Sequence, residues 1–268
     1  NTLSLSGHYH EIIQWFMERE GGNPEHHHIT CGALCGIHWL GQPNMFGIPA
    51  STMHCGSPNG HLTLHIQNNQ YKLTFRGAGM PEDHQMHIWT PEEVGESDIG
   101  QAEVMANVFM GNERSRTRMR INGKGDWIDM KREARKDPYL VDRLPSGHAA
   151  SESQHLWVAR LPSDIKAGVH TVRVRSEDMY GQFFEDQRIF RVVPDVPLKP
   201  SGANPTDRPT PGTQPGESGN LVWSGESGYW EKMFPKGLST GVEVSINSPV
   251  EVILSGHAQI DGFQVSEK

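Results

Sequence analysis

A chain of 268 residues with 24 Lys and Arg against 32 Asp and Glu has a formal charge of −8, which excludes the basic footprint of a nucleic-acid-binding domain. Hydrophobic residues make up 35% of it beside 29 Gly and 18 Pro, a balance that argues against a helical bundle and for a loop-rich β protein. No apolar run reaches the roughly 18 residues of a membrane span. The length suits two domains. The sequence opens inside an apparent strand, without an initiator Met or a signal peptide, and reads as a processed piece, a fragment or one part of a larger protein.

In chain order, Leu3-Ser4-Leu5-Ser6 alternates as a strand does and runs into Gly7-His8-Tyr9-His10. A glycine turn lets the backbone come close to a bound ion. Imidazoles at i and i+2 can offer nitrogen to one metal or to two adjacent ones, and imidazole suits Zn, Fe, Ni and Cu, with Mn less specific. Residues 11–20 place apolar side chains at 12, 13, 15, 16 and 17, and Gly21-Gly22 follows; a short helix is expected, with Trp15 and Phe16 packed in a core. In Glu25-His26-His27-His28, a strand would put His26 and His28 on one side and His27 on the other.

Residues 29–36 read as a strand of small residues, and residues 37–60 as a loop punctuated by Gly, Pro and Asn. Long loops in compact domains are often functional, which makes Trp39, Met45, Phe46 and His54 candidates for one wall of a cleft. Cys31, Cys35 and Cys55 leave an odd thiol. A bridge from Cys31 or Cys35 to Cys55 and plain core packing both remain open. Their spacing is no recognised zinc pattern. The segments 61–66 and 71–75 alternate about Asn68-Asn69 as a hairpin, with 62, 64 and 66 buried.

A boundary is expected at Gly77-Ala78-Gly79-Met80-Pro81, followed by strands at 84–89, 102–109, 115–121, 155–160, 169–176 and 187–193. The charged segment 131–154 reads as an exposed excursion. Arg114, Arg116, Arg118 and Arg120 share one strand face, either solvated or turned toward an acidic partner or phosphate groups. Gly125-Asp126-Trp127-Ile128-Asp129 spells G-D-x-x-D, but in a polar turn. Residues 194–220 form a Pro/Gly-rich linker and 221–268 a small β segment. Fewer than 50 residues make a marginal core, so this tail should dock on the rest of the chain or on another copy, by strand addition at a sheet edge.

Ser6-Gly7-His8-Tyr9-His10 resembles the last metal motif, G-H-x-H, of the calcineurin-like metallophosphoesterases. Ile29 to Gly36, Trp39-Leu40-Gly41 and Gly56-Ser57-Pro58-Asn59-Gly60 resemble the end of that catalytic domain in secreted bacterial members. Glu82-Asp83-His84-Gln85-Met86-His87-Ile88 and Ala102 to Val108 resemble the start of their β-rich C-terminal domain. The resemblance implies a mainly β fold. Residues 1–80 would hold strands and loops from the end of a metallophosphoesterase α/β sandwich, and the several strands within 81–193 suggest an immunoglobulin- or fibronectin-III-like β-sandwich. It implies His8 and His10 as metal ligands and a strand near the active site after His26 and His28; these two, with Trp39 and His54 of the long loop, make up the possible cleft. It implies divalent Fe, Mn or Zn, which would polarise a phosphoryl oxygen and generate hydroxide. The family's other ligand motifs, D-x-H, G-D-x-x-D, G-N-H-D/E and a lone His, stand upstream of G-H-x-H, and none precedes His8 here.

The expected function is therefore the C-terminal part of a two-metal phosphoesterase, inactive alone, whose partners are a missing catalytic segment or further copies bound through the tail. The alternative is an extracellular β-rich binding or self-assembly module without catalysis. A secreted, periplasmic or cell-surface location is expected.

Overall fold

Strand β1 (Thr2–Ser6) turns Leu3 and Leu5 inward and its hydroxyl residues outward, as the alternation in its sequence requires. The computed structural model describes residues 2–18, 25–68, 70–195 and, as backbone, 250–254. Next come β2 (Ile12–Met17) and β3 (His26–Cys31), which form a sheet of order β1-β3-β2 with β1 parallel and β2 antiparallel to β3. The helix expected over 11–20 is thus a strand. Ile12 and Gln14 point inward and Trp15 and Met17 outward, so a polar inward residue conceals the two-residue period. Trp15 is 51% exposed rather than packed in a core.

The strand expected over 29–36 ends at Cys31, because Gly32 takes a left-handed φ of 72° that starts a turn. The expected loop over 37–60 contains a two-stranded ribbon, β4 (His38–Pro43) and β5 (Pro49–Thr52). Its Pro and Gly sit at an irregular pairing, which hides it from pattern reading. The hairpin β6 (Gly60–Gln67) and β7 (Gln70–Gly77) forms as expected, with Leu62, Leu64 and Ile66 buried. Strand β17 (Val250–Leu254) pairs antiparallel with the other edge of β6, Val250 opposite Ile66 and Leu254 opposite Leu62. The rest of the expected 221–268 segment, and the expected linker from Val196 onward, lie outside the described residues.

The intervening strands are β8 (Met86–Trp89), β9 (Glu93–Gly95), β10 (Glu103–Val108), β11 (Arg116–Ile121), β12 (Ile128–Asp129), β13 (Lys131–Lys136), β14 (Glu152–Arg160), β15 (Gly168–Glu177) and β16 (Phe183–Val193). They build one sheet of order β13-β14-β10-β8 and another of order β12-β11-β15-β16-β9. The chain is mainly β. Among the described residues no helix is long and apolar enough to cross a membrane. The supposed excursion at 131–154 opens with β13, an edge strand whose side chains are mostly exposed although its backbone pairs with β14. Charges on an edge strand discourage pairing with other chains and read as loop in sequence. A short α-helix, α1 (Pro138–Val141), starts where the Asp137 side chain accepts from the Tyr139 N–H, with Pro138 in the first turn.

Two cores result. Leu3, Ile12, Ile29, Leu64 and Phe75 anchor the first, and Phe109 and Met110, which follow β10, join it. Met86, Val104, Trp157, Met119, Val174 and Phe190, from both large sheets, fill the second. All described residues belong to one compact unit. Leu64 is fully buried, so Leu64→Ala should lower unfolding free energy by about 2–5 kcal/mol in a denaturant titration. Val169→Ala, at a 71% exposed position, should stay within about 0.5 kcal/mol of wild type.

Candidate functional site

The G-H-x-H segment forms the corner between β1 and β2. His8 and His10 both hold left-handed backbone, at φ 79° and 54°. Only a few per cent of non-glycine residues do so, and such strain gathers where a surrounding structure holds it for a purpose. The surroundings hold His10 firmly. Its carbonyl accepts from the His54 N–H at 3.2 Å, and its Nδ1 donates to the Gly36 carbonyl at 2.9 Å. A carbonyl can only accept, so Nδ1 carries a proton, and in the neutral ring the lone pair is on Nε2. That is the tautomer of an imidazole oriented for a metal from behind. Cys35 lies alongside, its Sγ donating to the same carbonyl at 3.2 Å. His8 is exposed and meets the Tyr9 ring edge-on.

The other candidate residues do not gather at this corner as one set. His26 and His28 lie on the outer face of β3, locked in a ladder with β1. Thr2 and Ser4 hold His26 at 2.7 Å each, and Ser4 and Ser6 hold His28 at 2.7 and 3.0 Å. Trp39 is 61% exposed on β4. His54 does approach the corner through its backbone, and its ring packs edge-on against His38, which packs edge-on against His148, at centroid separations of 5.0 and 5.7 Å. His38 is buried with neither ring nitrogen partnered among the described residues, and burial, then His54 and His148, lower its pKa. Sequence reading missed His38 and His148, because only the ribbon and the turn after α1 bring them together.

The G-D-x-x-D look-alike opens on a bend at Gly125, φ 70°, and ends on β12, where Asp129 pairs with Arg116. All three cysteines are free thiols, and burial pushes Cys31 up to about 12. Among the described residues no group of three or more His, Cys, Asp and Glu side chains is arranged to hold a metal ion. By themselves these residues therefore do not fit a complete dinuclear centre.

A cleft of about 720 Å³ opens on another side of the first core, lined by His27, Tyr71, Arg114, Lys72 and Tyr180. His27 lines it, and His26 and His28 do not. Its Nε2 donates to Gln14 Oε1 at 3.1 Å, and its Nδ1 accepts from the Tyr71 hydroxyl at 2.6 Å. A neutral ring satisfies both bonds. Burial first, and then the Arg114 charge, push the His27 pKa down to about 4.

A second buried polar group lies at Asp137. It accepts from His87 Nε2–H and from the Asn107 amide at 2.7 Å. Burial acts to raise its pKa, but the His87 interaction outweighs it, and the carboxyl stays below its ordinary range. His155 is buried, with both ring nitrogens unpartnered among the described residues, and burial lowers its pKa to about 4.

The family model for the C terminal of calcineurin-like phosphoesterase matches residues 25–184, more than half of the sequence. The chain belongs to this family. The match starts downstream of His8 and His10 and takes in the ribbon, the hairpin and all of β8 to β15 in this phosphoesterase C-terminal region. No curated protein matches the chain. Among solved structures, CopC from Methylosinus trichosporium OB3b is similar at 17% identity over 42% of this chain and 94% of its own, with a TM-score of 0.26, too low to carry an argument about fold.

The two histidines depressed to about 4, His27 and His155, make stability depend on pH. Their folded pKa values near 4 lie below the ordinary 6.5, so the unfolded chain binds more protons between these limits. Their contribution to stability should be complete above about pH 6.5 and lost as pH falls through about 4. The thermal midpoint should fall over that window. His155→Phe, which swaps an unpartnered buried ring for an apolar one, should flatten the fall without lowering the midpoint at pH 7.

Proposed function

We propose that this chain supplies the closing rim of a metal-dependent phosphoesterase site. His8 and His10 would be two of its ligands, and the chain would be inactive toward phosphate esters on its own. The observation that carries the reading is the corner itself: two left-handed histidines, one of them with Nδ1 tied to a carbonyl and its lone pair on Nε2. Membership of the phosphoesterase family supports it. Two imidazoles are a partial donor set, so the remaining ligands would come from a segment outside this sequence. The β-rich region after residue 81 would frame that segment and carry no chemistry of its own.

A second reading, a binding or self-assembly module without catalysis, draws on β17. A strand that completes the β6 edge after a long intervening segment can do the same for a second copy. The two readings separate in one set of measurements. With added Mn²⁺ or Zn²⁺, the chain should show weak metal binding, seen as shifts or broadening of the His8 and His10 imidazole resonances. The H8A/H10A variant should lose it, and aryl phosphate turnover should stay at the buffer rate. Hydrolysis by the chain alone would defeat the claim of inactivity. Identical metal response in wild type and variant, together with a concentration-dependent dimer, would favour the second reading.

A further inference from the structure

The outward face of β11 and β15 is arranged against elementary electrostatics. Thr117, Met119, Val172 and Val174 point into the protein, and Arg116, Arg118, Arg120, Arg173 and Arg175 point out. The register sets Arg118 opposite Arg175 and Arg120 opposite Arg173. Like charges directly across a ladder destabilise it. Acidic neighbours relieve only part of this. Arg116 meets Asp129 and Arg175 meets Glu185, whereas Arg118, Arg120 and Arg173 have no carboxylate within 4.0 Å among the described residues. The chain as a whole has a charge of −8, so the patch opposes the general balance.

Trp127 takes the place of the absent carboxylates. Its ring lies 4.6 Å from the Arg120 guanidinium, 5.0 Å from that of Arg175 and 5.9 Å from that of Arg118. Stacking uses the faces of guanidinium groups and leaves their N–H edges, which match the paired oxygens of phosphate and sulfate esters. Along β11 the arginines recur every about 7 Å, and β15 doubles the row about 5 Å away.

We propose that this face binds a linear polysaccharide bearing sulfate or phosphate esters, lying along β11. The face is an open sheet surface, and small molecules need a concave site to bury them, so an extended ligand with repeated charges suits it better. A bilayer fits less well, because Glu177 and Glu185 stand on the same face along β15 and β16, while the outward row of β11 is all arginine. Single-stranded nucleic acid needs a series of aromatic rings for its bases, and here one indole is already engaged by arginines.

The test is binding of the full chain to immobilised heparin, with titration of a heparin oligosaccharide. Wild type should be retained and elute only with added salt. R118Q/R120Q/R173Q should bind at least about tenfold more weakly. R132Q/R135Q, on β13 of the other large sheet, should bind as wild type does. Because the triple variant removes like-charge contacts, its thermal midpoint should not fall, which separates lost binding from lost structure. Arg173→Glu alone should also weaken binding if the triple variant proves insoluble. Equal affinity in wild type and these β11–β15 variants would overturn the proposal. So would tighter binding to a single-stranded oligonucleotide or to phosphatidylglycerol vesicles than to heparin, or equal binding to uncharged dextran.

Discussion

Asp137 holds the molecule in register. Its carboxylate is 1% exposed, and a buried charge is tolerated only when paired and hydrogen-bonded. Its donors come from three places: His87 on β8, Asn107 on β10, and the Tyr139 N–H at the start of α1. The same Asn107 amide reaches the Cys55 carbonyl at 2.9 Å, in the turn that follows the ribbon. Gly56 allows this approach, since a Cβ there would collide with the Asp137 carboxylate. Gln14 does the corresponding work from β2, donating to the Met110 carbonyl and accepting from Asn112 and His27. Hydrophobic burial supplies most of the driving force but has no direction. These two polar groups decide how the first core meets the second.

That register reaches the G-H-x-H corner. The turn that holds Cys55 follows His54, whose N–H holds the His10 carbonyl, and Gly36 holds the His10 ring. Asp137 therefore stands behind the corner through one turn of chain. The strain of two left-handed histidines persists because the surrounding bonds over-determine it. The outer face of β11 and β15 shows the converse arrangement, in which carboxylates relieve only Arg116 and Arg175, repulsion is left in place, and an indole helps to steady it.

Much of the fold is legible from the sequence, for stated reasons. The β6–β7 hairpin has clean alternation about Asn68, and the two-residue period of β15 mixes valine inside with arginine outside. Where reading fails, a polar residue faces inward or charges sit on a paired edge. Gln14 makes β2 look helical, the Pro and Gly of β4 and β5 make a ribbon look like a loop, and the lysines and arginines of β13 make an edge strand look solvated. The same cause limits the site. His27 matters for its neighbours Tyr71 and Gln14, which are distant in sequence.

By itself the sequence determined the lineage, the β class, the strand periods of the β6–β7 hairpin and β15, the sharing of one face by Arg116, Arg118 and Arg120, and the presence of two histidines beside a glycine; Arg114, expected on that face, lies in the turn before β11. The lineage rests on the resemblance of whole motifs to a family; the rest follows from local composition and from spacing along the backbone. Only the tertiary structure decided that His10 carries its proton on Nδ1, that His38, His54 and His148 meet, that Asp137 is buried with three donors, and that like charges stand opposite each other on β11 and β15. Those facts depend on which residues distant in sequence share a contact, and that is set when side chains pack and buried polar groups find partners.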